Sequence, residues 1–261
     1  MNGALWVAKT GLTAQDASLR TISNNLANVA TVGFKKDRAV FQDLFYQIDR
    51  QPGAQSSQST QLASGLQLGT GVKTVGTQKM FGNGTLQVTG EAMDLAINGR
   101  GFFQVLTPDG AINYSRDGQF HMNTSGQLVT AQGYTLEPAI TVPPTAQTVT
   151  IGEDGVVSVT LAGSTAPSQI GTIQIADFVN PGGLEAQGQN LFIETAASGS
   201  AVVGSPGLTG LGNVKQGALE NSNVNIVEEL VSMISTQRAY EINSKVISTA
   251  DQMLQYVNQN L

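Results

Sequence analysis

The chain lacks several residue types on which enzymatic chemistry commonly depends. It has 261 residues, no cysteine, one histidine and one tryptophan, and only 12% of its residues are charged. Without cysteine there is no disulfide, thiolate metal site or cysteine nucleophile. The only histidine, His121, lies in an alternating stretch between Phe120 and Met122. A structural or exposed position on a strand is therefore favoured over membership in a catalytic triad.

The acidic residues show no arrangement suited to catalysis either. Asp109, Asp117 and Asp154 each precede a glycine, where turn formation explains them. Spacing identifies no carboxylate pair, and the glycine-rich stretches lack the strand-to-helix context of a phosphate-binding loop. The sequence therefore predicts no enzyme, no cofactor and no metal ion. A net charge of −6 without a basic patch also predicts no binding to nucleic acid.

Long apolar runs are also missing from the sequence. No stretch approaches the roughly 18 apolar residues of a membrane-spanning helix, so we expect no membrane span. The apolar stretch near the start covers only Ala4 to Ala8, which is too short for the core of a signal peptide. If the chain leaves the cytoplasm, its route must recognise something other than a cleaved signal peptide.

The sequence does contain a helical heptad pattern at each end. The first row is Leu5, Ala8, Leu12, Gln15, Leu19, Ile22, Leu26 and Val29, and the second repeats every seventh residue at Ile226, Met233, Tyr240, Ile247, Leu254 and Leu261. The first helix is predicted to end near Thr31 and Val32, before a left-handed Gly33. The second helix is predicted to begin after an N-cap at Asn225 and to reach the end of the sequence.

A second apolar row lies beside the first on the C-terminal helix. Its members are Ala239, Ile242, Val246, Met253 and Val257. Two rows predict two or more neighbours, and a lone helix that buries only one row is marginal in water. Self-assembly would supply these neighbours, and an ordinary intramolecular helical hairpin stays open as the alternative.

The segment between the helices begins without a clear β pattern. Its first apolar residues have helical spacing and predict one short amphipathic helix: Val40, Phe41, Leu44, Phe45 and Ile48. Residues Gln51 to Thr60, rich in Gln, Ser and Gly, are predicted to be an extended loop or linker. The longer span from Gln51 to Gly71 carries no charge.

From about Val72 the apolar residues alternate with a period of two, which is typical of strands. The pairs Asp109-Gly110, Asp117-Gly118, Ser125-Gly126 and Gln132-Gly133 predict the turns of an antiparallel meander. A hairpin is predicted around Asp154-Gly155, from strand 148–151 to strand 156–161. The small residues from Ala197 to Gly212 are predicted to form a mobile loop.

Several motifs in this chain resemble those of bacterial flagellar rod and hook proteins. The N-terminal motif runs from Ile22 to Asn28 and continues with Thr31, Gly33, Phe34 and Lys35. It is accompanied by similar segments at 99–103, 116–120, 220–225 and 237–241, so the resemblance extends over nearly the whole chain. The residues that carry it most specifically are Asn24, Asn25, Leu26, Ala27, Asn28, Gly33, Phe34, Gln237, Arg238 and Tyr240. Chain length and the stretch after residue 50 look most like the distal-rod branch of this family.

The resemblance implies an α+β protein whose long terminal helices pair as a coiled-coil-like hairpin, with an inserted, mainly antiparallel β domain and an extended linker or hairpin segment. It implies a terminal helical polymerisation domain (1–32 with 225–261), a connecting segment (33–71) and an outer β-rich domain (72–224). The residues expected to mediate subunit assembly are Leu5, Leu12, Leu19, Ile22, Leu26, Val29, Ile226, Leu230, Met233, Tyr240, Ile247, Leu254 and Leu261. The signature asparagines are expected to cap the first helix and to bond between helices.

In function, the resemblance implies a structural axial subunit of the flagellar basal body that polymerises into a rigid tube and transmits torque from motor to hook. Implied partners are further copies of the chain, proximal rod subunits, the hook protein, the surrounding P- and L-ring proteins and the flagellar type III export apparatus. The implied location is the basal body from periplasm to outer membrane, reached without a cleaved signal peptide.

One stretch is associated in this family with a straight, stiff rod: Gln51, Pro52, Gly53, Ala54, Gln55, Ser56 and Ser57. We expect residues 46–70 to reach along the filament and to limit sliding between neighbouring subunits. Two alternatives stay open at this point. One is another rod or hook subunit, and the other is a secreted β-rich carbohydrate-active or carbohydrate-binding protein, which would need paired carboxylates or exposed aromatic residues.

Overall fold

The computed structural model describes residues 2–53, 63–163, 166–208 and 210–259. Within them, the chain forms an α+β protein with two compact units. A helical unit combines residues 1–27, 37–78 and 225–261. A β unit combines residues 28–36 with residues 79–224.

In its described residues, the helical unit contains two long helices, α1 (Asn2–Ala27) and α2 (Ile226–Gln259), and four strands. These strands are β1 (Asp37–Asp43), β2 (Tyr46–Arg50), β3 (Leu66–Gly69) and β4 (Val72–Lys79). Strands β1 and β4 pair as one two-stranded sheet, and β2 pairs antiparallel with β3 as another. The predicted N-cap of α2 is confirmed, since the Asn225 side-chain oxygen accepts the backbone N–H of Val227.

The predicted short helix near residue 45 is wrong. The residues that suggested it lie in β1, in β2 and in the turn between them. Spacing within a short segment cannot exclude a strand, and here the partners that stabilise the extended conformation, β3 and β4, lie some twenty or more residues further along the chain. The end predicted for the first helix is also wrong, because α1 ends at Ala27. Residues 28–36 belong instead to the β unit.

The β unit contains sixteen of the described strands, which are short. Its first eight are β5 (Leu86–Val88), β6 (Leu95–Asn98), β7 (Phe102–Leu106), β8 (Ile112–Ser115), β9 (Phe120–Met122), β10 (Leu128–Thr130), β11 (Thr135–Glu137) and β12 (Ala146–Ile151). The others are β13 (Val156–Leu161), β14 (Ser168–Thr172), β15 (Ile175–Asp177), β16 (Glu185–Gly188), β17 (Leu191–Ile193), β18 (Val202–Gly204), β19 (Asn213–Gln216) and β20 (Ala218–Glu220). A single 3₁₀ turn, Pro181–Gly183, precedes β16.

Nine of these strands form the largest sheet, in the order β16-β17-β8-β7-β11-β10-β9, with β15 pairing both β7 and β18. The predicted hairpin around Asp154-Gly155 is confirmed, since β12 pairs with β13 and Ile151 lies opposite Val157. The predicted simple meander is wrong at Asp117-Gly118. There the chain leaves β8 and next forms β9, which lies at the far edge of the sheet. Between these strands, Gly118 and Gln119 pair with Leu95 and Asp94.

The interval 197–212 is also not a plain loop, since it contains β18, which pairs with β15. Two apolar clusters fill the β unit. The larger includes Leu95, Ile97, Phe103, Phe120 and Leu136. The smaller is aromatic, with Phe102, Tyr114, Phe178 and Phe192 in edge-to-face contacts.

Candidate assembly surface

The two helices of the helical unit lie side by side and antiparallel. Near the end of α1, the Asn25 amide nitrogen donates to the Glu229 carboxylate at 3.3 Å, close to the start of α2. Further back along α1, Gly11 faces Asn243, whose amide nitrogen would lie 3.0 Å from a Cβ placed on Gly11. On α1 the two contact points, Gly11 and Asn25, are fourteen positions apart. On α2, Glu229 and Asn243 are also fourteen positions apart, so both contacts belong to one register.

The heptad row of α1 is largely covered in this arrangement. Ala8 and Ile22 are buried, and Leu5, Leu12, Leu19 and Leu26 are half-buried. Val29 lies beyond the end of α1 and is a half-buried residue of the β unit.

The apolar residues of α2 are covered much less. Met233, Ile247 and Leu254 of the expected assembly residues are half-buried, whereas Ile226, Leu230 and Tyr240 are exposed. Leu261 lies outside the described residues. In the second row, Ile242 is 62% exposed and Met253 is 55% exposed, and Val246 is exposed too. An apolar strip on α2 is thus left open to solvent.

The antiparallel pair of β2 and β3 is a second apolar surface. Its exposed side chains are Tyr46, Ile48, Leu66 and Leu68, and Phe45 just before it is 92% exposed. An isolated two-stranded hairpin is marginally stable in water at best. Gln51, Pro52 and Gly53 of the stiffness-associated stretch follow β2 and are exposed, whereas Ala54, Gln55, Ser56 and Ser57 lie outside the described residues.

Among the signature residues, Asn25 links α1 to both β1 and α2. Its side-chain oxygen accepts the Asp37 backbone N–H at 2.8 Å, and its amide nitrogen donates to the Asp37 carbonyl at 2.8 Å. Because Asn25 is buried, each of these bonds replaces one that water would otherwise supply. Asn24 and Ala27 are exposed, and Asn28 is half-buried. Gln237 and Arg238 on α2 are exposed.

The second part of the signature belongs to a buried charged cluster in the β unit. Gly33 has the left-handed φ of 69°, and a Cβ there would lie 2.6 Å from the Arg116 backbone. Its N–H donates to the Glu220 carbonyl at 2.7 Å. Phe34 is half-buried, with the Lys79 ammonium 5.2 Å from its ring centroid.

Two cations share one carboxylate in this cluster. Lys35 donates to one Glu220 carboxylate oxygen at 2.7 Å, and Arg116 donates to the other at 3.2 Å. All three side chains are almost completely buried. Burial lowers the pKa of the Lys35 ammonium and of the Arg116 guanidinium, while the Glu220 carboxylate opposes both shifts.

Sequence reasoning missed this cluster as a unit. Lys35, Arg116 and Glu220 all fall in segments that carry the family resemblance, but spacing cannot pair residues 104 and 185 positions apart. Each also has a polar or charged neighbour in the sequence, Lys36, Asp117 and Asn221, so the local pattern does not mark any of the three as buried.

The described part of the chain contains no group of acidic or histidine side chains placed to hold a metal ion. Neither of its two long helices has an apolar stretch that could cross a membrane.

Comparison with protein families identifies three regions of this chain. Residues 5–35 match the model of the flagella basal body rod protein, and residues 96–159 match the flagellar hook protein FlgE/F/G D1 domain. Residues 215–260 match the C-terminal region of the flagellar basal body rod FlgEFG protein. The regions include most of α1, all of α2 and the part of the β unit that contains β7 to β12.

Whole-length relatives agree with these matches. The flagellar basal-body rod protein FlgG of Buchnera aphidicola subsp. Schizaphis graminum is 56% identical over 98% of both chains. FlgG of Borreliella burgdorferi is 48% identical over 99% of this chain and 98% of its own length. By contrast, the flagellar hook-basal body complex protein FlhP of Bacillus subtilis is only 28% identical over 98% of both chains. This chain therefore belongs to the family of flagellar basal-body rod proteins, as a structural subunit of the distal rod and not an enzyme.

Proposed function

We propose that the chain polymerises through its helical unit into the rigid tubular distal rod that transmits torque from motor to hook. The observation that supports this most directly is the distribution of buried apolar residues. Among the described residues, the helical unit buries only Ala8, Ala14 and Ile22, whereas the remaining buried apolar side chains lie in the β unit. The helical unit therefore needs apolar neighbours to become stable.

The exposed strip on α2 is the surface that those neighbours cover. Paired in a coiled-coil-like hairpin, α1 and α2 use one row of α2, and the row with Ile242, Val246 and Met253 remains for other copies. A contact between two different surfaces of the same chain does not close on itself, so repetition produces an open helical filament. The expected assembly residues on both helices keep this role as part of the proposal.

The wider setting follows from the family rather than from the contacts in this chain. We infer that the filament joins proximal rod subunits to the hook protein and turns inside the P and L rings, from periplasm to outer membrane. Export through the type III apparatus without a cleaved signal peptide suits helices that become stable only after assembly. The division into a polymerisation domain (1–32 with 225–261), a connecting segment (33–71) and an outer domain (72–224) belongs to the same proposal.

The assembly surface is tested by replacing exposed residues of the α2 strip. Ile242→Ser together with Met253→Ser removes two apolar side chains that contribute little to the free chain. We expect burial of each of these side chains in the filament to contribute about 1.5 kcal/mol or more. Losing both contributions raises the critical concentration for polymerisation at least ~100-fold. Sedimentation and electron microscopy measure polymer, and circular dichroism measures the fold of the free chain.

The matched control is Val88→Ser with Val179→Ser, because these residues of the β unit are 73% and 85% exposed. We expect the control to form filaments at the same concentration as the unsubstituted chain. If the α2 double variant also polymerises at an unchanged critical concentration, assembly does not use this strip.

A further inference from the structure

The sheet formed by β1 and β4, called the ribbon below, runs antiparallel. The Leu44 N–H, just after β1, donates to the Gly71 carbonyl, just before β4, at 2.9 Å. At the other end, the Arg38 guanidinium donates to the Gln78 side chain at 2.9 Å. A two-stranded ribbon is not stable by itself, so something else must hold it.

Helix α1 holds the ribbon at both of its ends. Asn25 bonds to both backbone groups of Asp37, the first residue of β1. The Thr10 hydroxyl oxygen accepts the N–H of Val72, the first residue of β4, at 3.3 Å. Thr10 and Asn25 are fifteen residues apart on α1, roughly 22 Å, and a strand of seven residues is about 23 Å long. The ribbon and this part of α1 therefore match in length.

The contact at Thr10 depends on a glycine. Gly71 has a φ of 123°, and a Cβ on it would lie 2.2 Å from the Thr10 hydroxyl oxygen. Both the backbone conformation and the close approach to α1 thus disfavour any residue with a Cβ at this position.

The pair of β2 and β3 continues from this end of the ribbon. Its base is closed by the Thr70 hydroxyl, which donates to the Phe45 carbonyl at 2.6 Å. Beyond the base, an open apolar gap of about 710 Å³ separates Gln47 and Leu68 of the hairpin from Trp6 on α1 and Val246 on α2. Because of this gap, the hairpin is not packed closely onto the helices along its length.

We propose that Thr10 and Gly71 form a positioning joint that sets the direction in which the β2–β3 hairpin projects, with Asn25 fixing the far end of the ribbon. The joint acts through backbone placement and not by contacting another subunit. Its role in stiffness rests on the proposed function, together with the expectation from the sequence that residues 46–70 contact neighbouring subunits.

Gly71→Ala tests the joint directly. An ordinary contact of about 3.4 Å in place of 2.2 Å moves the base by roughly 1 Å. With the neighbouring strand about 4.8 Å away as the pivot, the hairpin tilts by ~0.2 radian, and Gln67, about 13 Å along the chain from Gly71, moves by ~3 Å. Spin labels at Thr13→Cys on α1 and Gln67→Cys on β3 report this distance in the full chain, which has no cysteine of its own. The unsubstituted chain should give one narrow distance, and Gly71→Ala a shift of about 3 Å.

Three further variants guard against a simple folding defect. Gly76→Ala is the matched control, since Gly76 lies in β4, the strand that follows Gly71, and a Cβ there meets nothing within 4 Å. It should leave the distance unchanged. Thr10→Ala alone should broaden the distance distribution, and Thr10→Ala combined with Gly71→Ala should recover part of the original distance. An unchanged distance in Gly71→Ala, or an equal shift in Gly76→Ala, would overturn the joint.

Electron microscopy of filaments separates this inference from the proposed function. If both hold, Gly71→Ala filaments bend while Gly76→Ala filaments stay straight. If the distance shifts but filaments remain equally straight, the joint is supported and the stiffening role of residues 46–70 fails. If the distance stays fixed and deletion of the hairpin still makes filaments bend, the joint is wrong and the proposed function stands.

Discussion

At the scale of single residues, the buried charges around Glu220 show why the segment after α1 belongs to the β unit. The Glu220 carboxylate also accepts the Gly84 N–H at 2.8 Å, and Lys35 also donates to the Gly82 carbonyl at 2.8 Å. These bonds compensate the loss of hydration that each buried charge suffers. These bonds join distant parts of the chain, and they hold residues 33–35 in one position within the β unit.

Replacing Glu220 should be far more damaging than replacing either cation. Glu220→Gln leaves Lys35 and Arg116 buried beside each other without an anion, and we expect a loss of about 3–5 kcal/mol in the free energy of unfolding. Urea denaturation followed by circular dichroism measures it. Lys35→Met is the control, because it preserves the pair of Arg116 and Glu220 and should cost less. Equal losses in the two variants would contradict this account.

At the scale of elements, the β2–β3 hairpin is the least supported part of the helical unit. Every described residue of its two strands is exposed, and several of the exposed side chains are apolar. A solvated apolar hairpin exposes the chain to aggregation unless a partner covers it. Neighbouring subunits in a filament are partners of the required kind.

Deleting residues 46–69 tests the stiffening role of this element. The Phe45 carbonyl oxygen and the Thr70 hydroxyl lie 2.6 Å apart, so the new junction requires little rearrangement of the ribbon. We expect filaments that still form but bend, because the segment that limits sliding between subunits is missing. Electron microscopy measures the curvature of filaments formed by the deletion variant and by the unsubstituted chain. Straight filaments with the rigidity of the unsubstituted rod would refute the role.

At the scale of the whole molecule, the two units differ in how they obtain their stability. The β unit has two apolar clusters of its own, whereas the helical unit buries three small or medium apolar side chains in the described residues. Regions with few buried apolar contacts open most easily. We therefore expect the helices to gain from neighbouring subunits the buried apolar contacts that the strands have within their own unit.

Hydrogen exchange measures this difference directly. In the free chain, amides of α1 and α2 should exchange at least ~100-fold faster than those of β7 and β13, since opening the helices costs several kcal/mol less. In filaments, the helical amides should become protected while those of β7 and β13 change little. Helices already as protected as β7 in the free chain would show that they need no neighbours.

Much of the fold could be predicted from local pattern. The heptad rows predicted both helices, and Asp154-Gly155 predicted its hairpin with the correct strands. The failures have one cause. Val40 and Ile48 lie in strands because of partners far along the chain, and α1 stops at Ala27 while the residues after it bond within the β unit. Local spacing contains no information on such pairings.

By itself, the sequence determined the family, the structural class of the function and the apolar rows, because these depend on residue identity and on short periods. Only the tertiary structure decided which row is left exposed on α2, that two cations share Glu220, and that Thr10 and Gly71 meet. Those facts depend on contacts between residues tens to hundreds of positions apart. Closing a loop of that length costs entropy whatever residues fill it. A short periodic pattern therefore does not show which distant residues will meet.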